Sequence, residues 1–335
     1  MAGNMKRESP IKILFFAVFI LMANFSLAQE IREIHVSPSG DDNNSGTFER
    51  PLKSLGRATA VLGAMDSHQL EKIVVWLNDG VYRISNAIVL DSTVKKRGTT
   101  FKFKAVEGSS PTISGAVELK DWTNLDNGIW VSEVPENLGI FRELFVKGKR
   151  AIRARHPNKE YLRVKEVGAD RRTNFTYHIG DFPQPKKPGE VELVVFHDWS
   201  ITRIPIKDIS LNSHTITASD SIGAKGLNFF NLDNWEPNPR YYLKNDIVFL
   251  VAEYEWYLDS LASKIYLKLP MDLEPSQLSI EVPLAESLLI VEGSEQNPIS
   301  NISFEGISFK HCRWNIPNHT YAGIQACNFD TQQGN

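Results

Sequence analysis

A chain of 335 residues with a net charge of −3 lacks the basic excess of a nucleic-acid-binding protein, so nucleic acid is excluded as a partner. Two cysteines, Cys312 and Cys327, are too few for a disulfide scaffold and read as two buried thiols near successive strands. Phosphate loop, nucleophile elbow and dinucleotide fingerprint are all missing, which leaves nucleotide-driven and serine-hydrolase chemistry without support.

Lys6, Arg7 and Lys12 precede the apolar run Ile13–Met22, and Ser26-Leu27-Ala28 precedes Gln29. That order is a secretory leader over residues 1–28, because the run is too short to be retained as a membrane span. An exported protein, periplasmic or extracellular, is expected, with no integral membrane segment after cleavage. Its net charge becomes about −5 once the leader is removed.

Residues 31–56 read as a strand, a polar loop and a helix start, with Leu55, Ala58, Leu62 and Met65 on one helical face. Such a helix closes the end of a stack of strands, where the first turn otherwise exposes its apolar interior. Asp41, Asp42, Asn43 and Asn44 miss the spacing of a calcium loop and read as a turn. Short strands follow at Ile73–Leu77, Tyr82–Ile84, Ala87–Leu90, Thr99–Ala105 and Pro111–Gly115, separated by Gly, Asn, Asp and Ser. Without helices between them they suit a β-solenoid better than a sheet built from βαβ crossovers.

From Leu119 to Met271 hairpin signals replace corner signals. Asn127-Gly128 and Lys147-Gly148 are two-residue turns, and Glu255–Leu258 is expected to return through Lys264–Leu269. This segment reads as an antiparallel all-β insertion. After it, Leu278–Val282, Leu288–Val291, Ile302–Phe304, Ile307–Phe309 and Gly323–Cys327 restore the corner-and-strand rhythm. The expected organisation is therefore 1–28 leader, 29–118 cap and first coils, 119–271 insertion, and 272–335 resumed coils. The last coil carries no closing element, so the chain reads as the N-terminal part of a longer coil.

Three stretches are more specific: Leu144–Asn158, Glu255–Asp259 and Ile302–Phe309. With Val36–Asp41, Asp79–Tyr82 and Ile113–Gly115, their order resembles glycoside hydrolase family 141, over residues 34–335. The resemblance implies a right-handed parallel β-helix of the pectin-lyase type, interrupted near its start by an all-β insertion domain. It also implies hydrolysis of fucoside or xylan-type linkages in a plant-type polysaccharide or oligosaccharide. Two carboxyl groups would do the chemistry without a cofactor, and the resemblance puts them on coils beyond Asn335. Two rivals share the fold: a polysaccharide lyase, for which no acidic calcium cluster is evident, and a non-catalytic glycan-binding or adhesive β-helix.

Within the chain, Asp330 is the weak catalytic candidate, and Glu305, beside Gly306, reads as a corner residue. Arg153 and Arg155 alternate with Ile152 and Ala154, so the two guanidinium groups share a strand face and suit a uronic-acid carboxylate. Solvated or ion-paired arginines are the competing reading. His311, Trp314, His319, Tyr321 and Gln325 mix aromatics and amides in the way a sugar-binding edge does, and packing under a loop competes equally. His311 and His319 lack the spacing and cysteine partners of a zinc site, so no metal is expected.

Overall fold

A computed structural model of the chain describes residues 30–65, 70–94, 98–197, 200–223, 231–234, 236–314, 321–324 and 327–329. The leader reading for residues 1–28, and the candidates His319, Gln325 and Asp330, lie outside the described residues. The regular structure of the described chain is mostly β-strand, with a single α-helix among the described residues. No helix in them is long and apolar enough to cross a membrane.

Two compact units divide the chain. The first comprises the described residues up to Tyr82, Ile88–Ile113 and Leu289–Phe309. Within it, strands Glu30–Val36, Leu70–Leu77, Thr100–Ala105 and Ile302–Glu305 stack side by side, each pair parallel. Leu289–Val291 lies parallel to Ile88–Leu90, and Ser308–Lys310, Thr112–Ser114 and Val81–Arg83 form a third ladder. Successive strands thus pass from one ladder to the next, and the ladders hold four, two and three strands. Alternation sets the interior: Ile73, Val75, Phe101 and Phe103 are buried, and Phe103 stacks on Phe304 with ring centroids 4.9 Å apart.

The helix Leu55–Ala64 buries Leu55, Ala58 and Leu62, whereas Met65 is its C-terminal cap residue. Ser54 caps the other end, its Oγ accepting from Arg57 N at 3.0 Å, an interaction typically worth about 1 kcal/mol. Asp42 braces that cap by accepting from the backbone amides of Lys53 and Ser54 and from Ser54 Oγ. The polar loop is a structural turn. Glu305 lies across from Lys104 on the neighbouring strand and pairs with Lys102 Nζ at 3.0 Å and Lys104 Nζ at 3.8 Å. It serves as a cross-strand counter-ion rather than a corner residue.

The second unit comprises Arg83–Ala87, Ser114–Leu288 and the described residues from Lys310 on. Its strands are joined mainly by antiparallel hairpins. At the Asp126–Ile129 turn, Asn127 and Gly128 have φ of 50° and 74° after Asp126 at 82°, so three left-handed residues carry the chain round, a backbone that Asn and Gly adopt with least strain. A Cβ on Gly128 would lie 2.4 Å from the Leu269 carbonyl oxygen, so the position is sterically closed as well. Lys147-Gly148 turns through two such residues, with φ of 51° and 71°.

One apolar core of this unit gathers Leu193, Val195, Ile204, Ile206, Phe175, Tyr241 and Leu243. Another gathers Phe141, Leu144, Trp256, Ile265, Leu267 and Ile280.

Three sequence expectations change. Ile280–Pro283 pairs antiparallel with both Phe145–Val146 and Ala116–Glu118, so it belongs to this unit and not to a resumed coil. Tyr321–Ile324 pairs antiparallel with Ile201–Arg203 and forms a hairpin with Cys327–Phe329. Period-two alternation marks a strand but leaves the direction of its partner open, which is why both were read as further coils. Cys312 is exposed and free, not buried, because the chain leaves its strand at Lys310 and runs on as loop.

A cationic cleft as the candidate functional site

Strand Glu192–His197 runs between Ser200–Ser210 and Arg240–Lys244, antiparallel to both. Register then fixes which side chains share a face. Glu192 is opposite Lys244, Val194 is opposite both Arg203 and Tyr242, and Lys244 is also opposite Arg155 on the next strand. Since alternate residues point to opposite faces, Leu193, Val195, Leu243 and Ile204 enter the core, while Glu192, Arg203, Tyr242, Lys244 and Arg155 line the other side. A charged outer face is the direct consequence of an apolar inner one.

Two neighbouring segments wall this face into a cleft of about 350 Å³. The loop after Gly139 brings Arg142 and Glu143; the stretch Arg150–Asn158 brings Arg150, Arg153 and Arg155; Trp314 completes the lining. Among the described residues six cationic side chains meet two carboxylates there. Glu192 is the centre of the arrangement: Arg142 pairs with it directly, and Arg153 Nη1 and Arg203 Nη1 each lie 3.9 Å from its carboxylate. Glu143 accepts from Arg150 at 2.8 Å and from the Trp314 backbone amide at 3.0 Å.

Burial sets the electrostatics. Arg153 is pushed down to about 9 by loss of solvent and then by Arg142, and Arg142 to about 10 by burial and then by Arg203. Both remain cations near neutrality. Lys244 is held well below the ordinary lysine range, by burial first and then by Arg203, Arg153, Arg142 and Arg155. Among the described residues no carboxylate lies within ion-pair distance of its ammonium, and Arg203 Nε is buried without a hydrogen-bond partner. Uncompensated charge of this kind penalises folding unless something binds to it.

Positioning is local. Asn245, buried and at φ 64°, accepts from Arg153 Nε at 3.0 Å and from Leu258 N at 3.2 Å. Asn tolerates that left-handed backbone better than most residues, and the side chain so placed aims Arg153 at Glu192. Arg155 donates to the carbonyls of Pro157 and Glu160 and stacks 3.9 Å over Tyr242.

Of the sequence candidates, Arg153, Arg155 and Trp314 come together in the cleft. Trp314 is 37% exposed, with Arg203 lying 5.6 Å from its ring. The face assignment inverts at one point: Ile152 is 56% exposed, whereas the Arg153 side chain is only 10% exposed. The chain there walls a cleft rather than covering a core. His311 goes elsewhere: its ring packs on Phe145 at 4.2 Å, with Nδ1 3.6 Å from Glu281, which also binds Arg83 at 2.6 Å. Burial lowers its pKa, and its partners are those of a packed structural histidine. Tyr321 is in a described strand, but only its backbone is described.

Glu192, Arg203, Tyr242 and Lys244 carried no sequence signal, because strand register alone unites them, and Arg142 reaches them from the loop after Gly139. A second recess of about 530 Å³ is lined by Trp122, Trp130, Lys120, Glu118 and Glu274. Trp122 Nε1 donates to the Leu119 carbonyl and Lys120 has Glu118 within 3.7 Å, so its polar groups are already matched. Among the described residues no group of three metal-ligating side chains occurs.

Residues 127–270 match the family model described as the GH141 insertion domain. That span holds every residue lining the cleft except Trp314. Among solved structures, one titled "Glycoside hydrolase" matches with a TM-score of 0.74 at 23% identity, covering 84% of this chain and 51% of that one. The chain therefore spans about half the length of that structure, and the two share a fold. Another, titled "The complex structure of XylC with xylose", has a TM-score of 0.42 at 15% identity, over 84% of this chain and 35% of that one. No curated protein matches.

Proposed function

We propose that this chain is an exported, carbohydrate-active protein of the glycoside hydrolase type, acting on plant-type polysaccharide. Its first unit is the start of a right-handed parallel β-helix and its second is the glycan-holding insertion. One observation carries the reading: the segment that matches a glycoside hydrolase insertion domain is the segment that builds the cleft. The volume of about 350 Å³ lies at the lower end of ligand-pocket sizes, about 300–1,000 Å³, and suits one or two sugar units.

Within the cleft both carboxylates have arginine partners. Glu192 is held by Arg142, and Glu143 by Arg150. Glycosidic cleavage needs one carboxyl group to deliver a proton and a second to act as base or nucleophile. Two counter-ions do not supply that pair, so the cleft of the second unit binds glycan and the cleavage step needs carboxylates other than these two.

Affinity electrophoresis of the purified chain through gels containing pectic, xylan or unrelated glucan polymers tests this. Retardation by at least one plant-type polymer is expected, and hydrolysis would release reducing ends from that polymer. Migration unchanged by every polymer would remove the glycan-binding reading. An unsaturated, ultraviolet-absorbing product would replace hydrolysis with elimination.

A further inference from the structure

We infer that the cleft of the second unit recognises the carboxylate of a uronic-acid residue, so that the glycan it holds is acidic. This deepens the glycan-binding reading and rests on it. Four observations point the same way. Among the described residues six cations line the cleft against two carboxylates, in a chain whose overall charge is negative. Glu192, the one carboxylate at the centre, is shared by Arg142, Arg153 and Arg203. Arg203 Nε is buried without a hydrogen-bond partner among the described residues, and Lys244 has no carboxylate within ion-pair reach there. A purely structural ion cluster so buried is expected to balance its charges.

The shape of the donor set selects the anion. Arg203 and Lys244 flank strand Glu192–His197 on one sheet face, Arg203 opposite Val194 and Lys244 opposite Glu192, so an anion over that strand lies between them. A planar guanidinium beside a point ammonium suits a planar carboxylate. Arg155 already covers the Tyr242 ring at 3.9 Å, so Tyr242 is closed to a sugar. Arg203 also lies 5.6 Å from the Trp314 ring, and the exposed part of that ring is the apolar surface assigned to the pyranose that carries the carboxylate.

Isothermal titration of the whole chain with trigalacturonate, its methyl ester and xylotriose decides the matter. Trigalacturonate is expected to bind at least tenfold more tightly than either neutral probe, with affinity falling several-fold between 50 and 300 mM NaCl. Arg203→Gln and Lys244→Met should each weaken it at least tenfold, while Lys120→Met, outside the cleft, leaves it unchanged. Lys244→Met removes an unpaired buried charge, so it folds even if Arg203→Gln does not. Equal affinity for acid and ester, full affinity in Lys244→Met, or displacement of trigalacturonate by equimolar sulfate would overturn the inference and leave glycan binding standing. No heat with any of the three sugars would remove the glycan-binding reading, and the inference with it.

Discussion

The chain carries two clusters of opposed charge that obey different rules. In the first unit, Lys102 and Lys104 face Glu305 on a side chain 40% exposed, and hydrogen bonding and attraction from Lys102, then Lys104, hold that carboxyl below its usual range. In the second, Arg142, Arg153, Arg203 and Lys244 surround Glu192, whose side chain is 9% exposed. Both have more cations than anions. Water screens the first imbalance, so it weighs little on folding and carries no functional meaning. The second is withdrawn from water, where imbalance destabilises, and its persistence is the signature of a site that waits for an anion.

Substitutions break or sharpen that contrast. Glu192→Gln has the largest expected effect: it leaves Arg142, Arg153 and Arg203 buried without a counter-ion and should destabilise by about 3–5 kcal/mol in urea unfolding. Added sulfate should recover part of the loss, whereas a variant no less stable than the parent would mean that the arginines are solvated.

Lys244→Met should act in the opposite direction, raising stability at neutral pH by about 1 kcal/mol, because a methionine stem fills the same space without charge. The sign follows from linkage. The folded chain holds Lys244 below its unfolded value of about 10.4, so folding favours the neutral amine, and stability falls as pH drops from about 10 toward the folded value. The gap between Lys244→Met and the parent should therefore widen as the pH is lowered from 10 to 7, as measured by thermal unfolding at fixed salt.

Occupancy reverses the preference. An anion beside Arg203, Arg153, Arg142, Arg155 and Glu192 favours the charged lysine, so affinity for trigalacturonate should weaken as pH rises, with a slope that Lys244→Met flattens. Glu305→Gln should have the smallest effect, with an unfolding midpoint indistinguishable from the parent; a clear loss would mean that exposure does not separate the two clusters.

Much of the fold was legible in the sequence because its signals are local. Asn127-Gly128 announces a hairpin, since few other pairs tolerate two positive φ angles in succession. The alternation of Phe101 and Phe103, or of Ile302 and Phe304, announces a strand with one buried face. Strand partners are not local. Nothing in Ile280–Pro283 or Tyr321–Ile324 says that each pairs antiparallel, and both were read as further coils.

The cleft divides along the same line. Arg153 and Arg155 were found through their density in a short stretch, and Trp314 through its aromatic and amide neighbours. Glu192, Arg203 and Lys244 come from three separate strands whose register alone places them side by side. His311 shows the converse error: a side chain typical of sugar sites turned out to pack between Phe145 and Glu281.

The central claim, that the second unit holds an acidic sugar by its carboxylate, is tested most directly by a crystal structure of the chain with trigalacturonate. The account predicts a carboxylate within hydrogen-bond distance of Arg203 Nε and Lys244 Nζ, with its pyranose ring against Trp314. Trigalacturonate bound elsewhere at full occupancy, with the cleft holding only water, would contradict it.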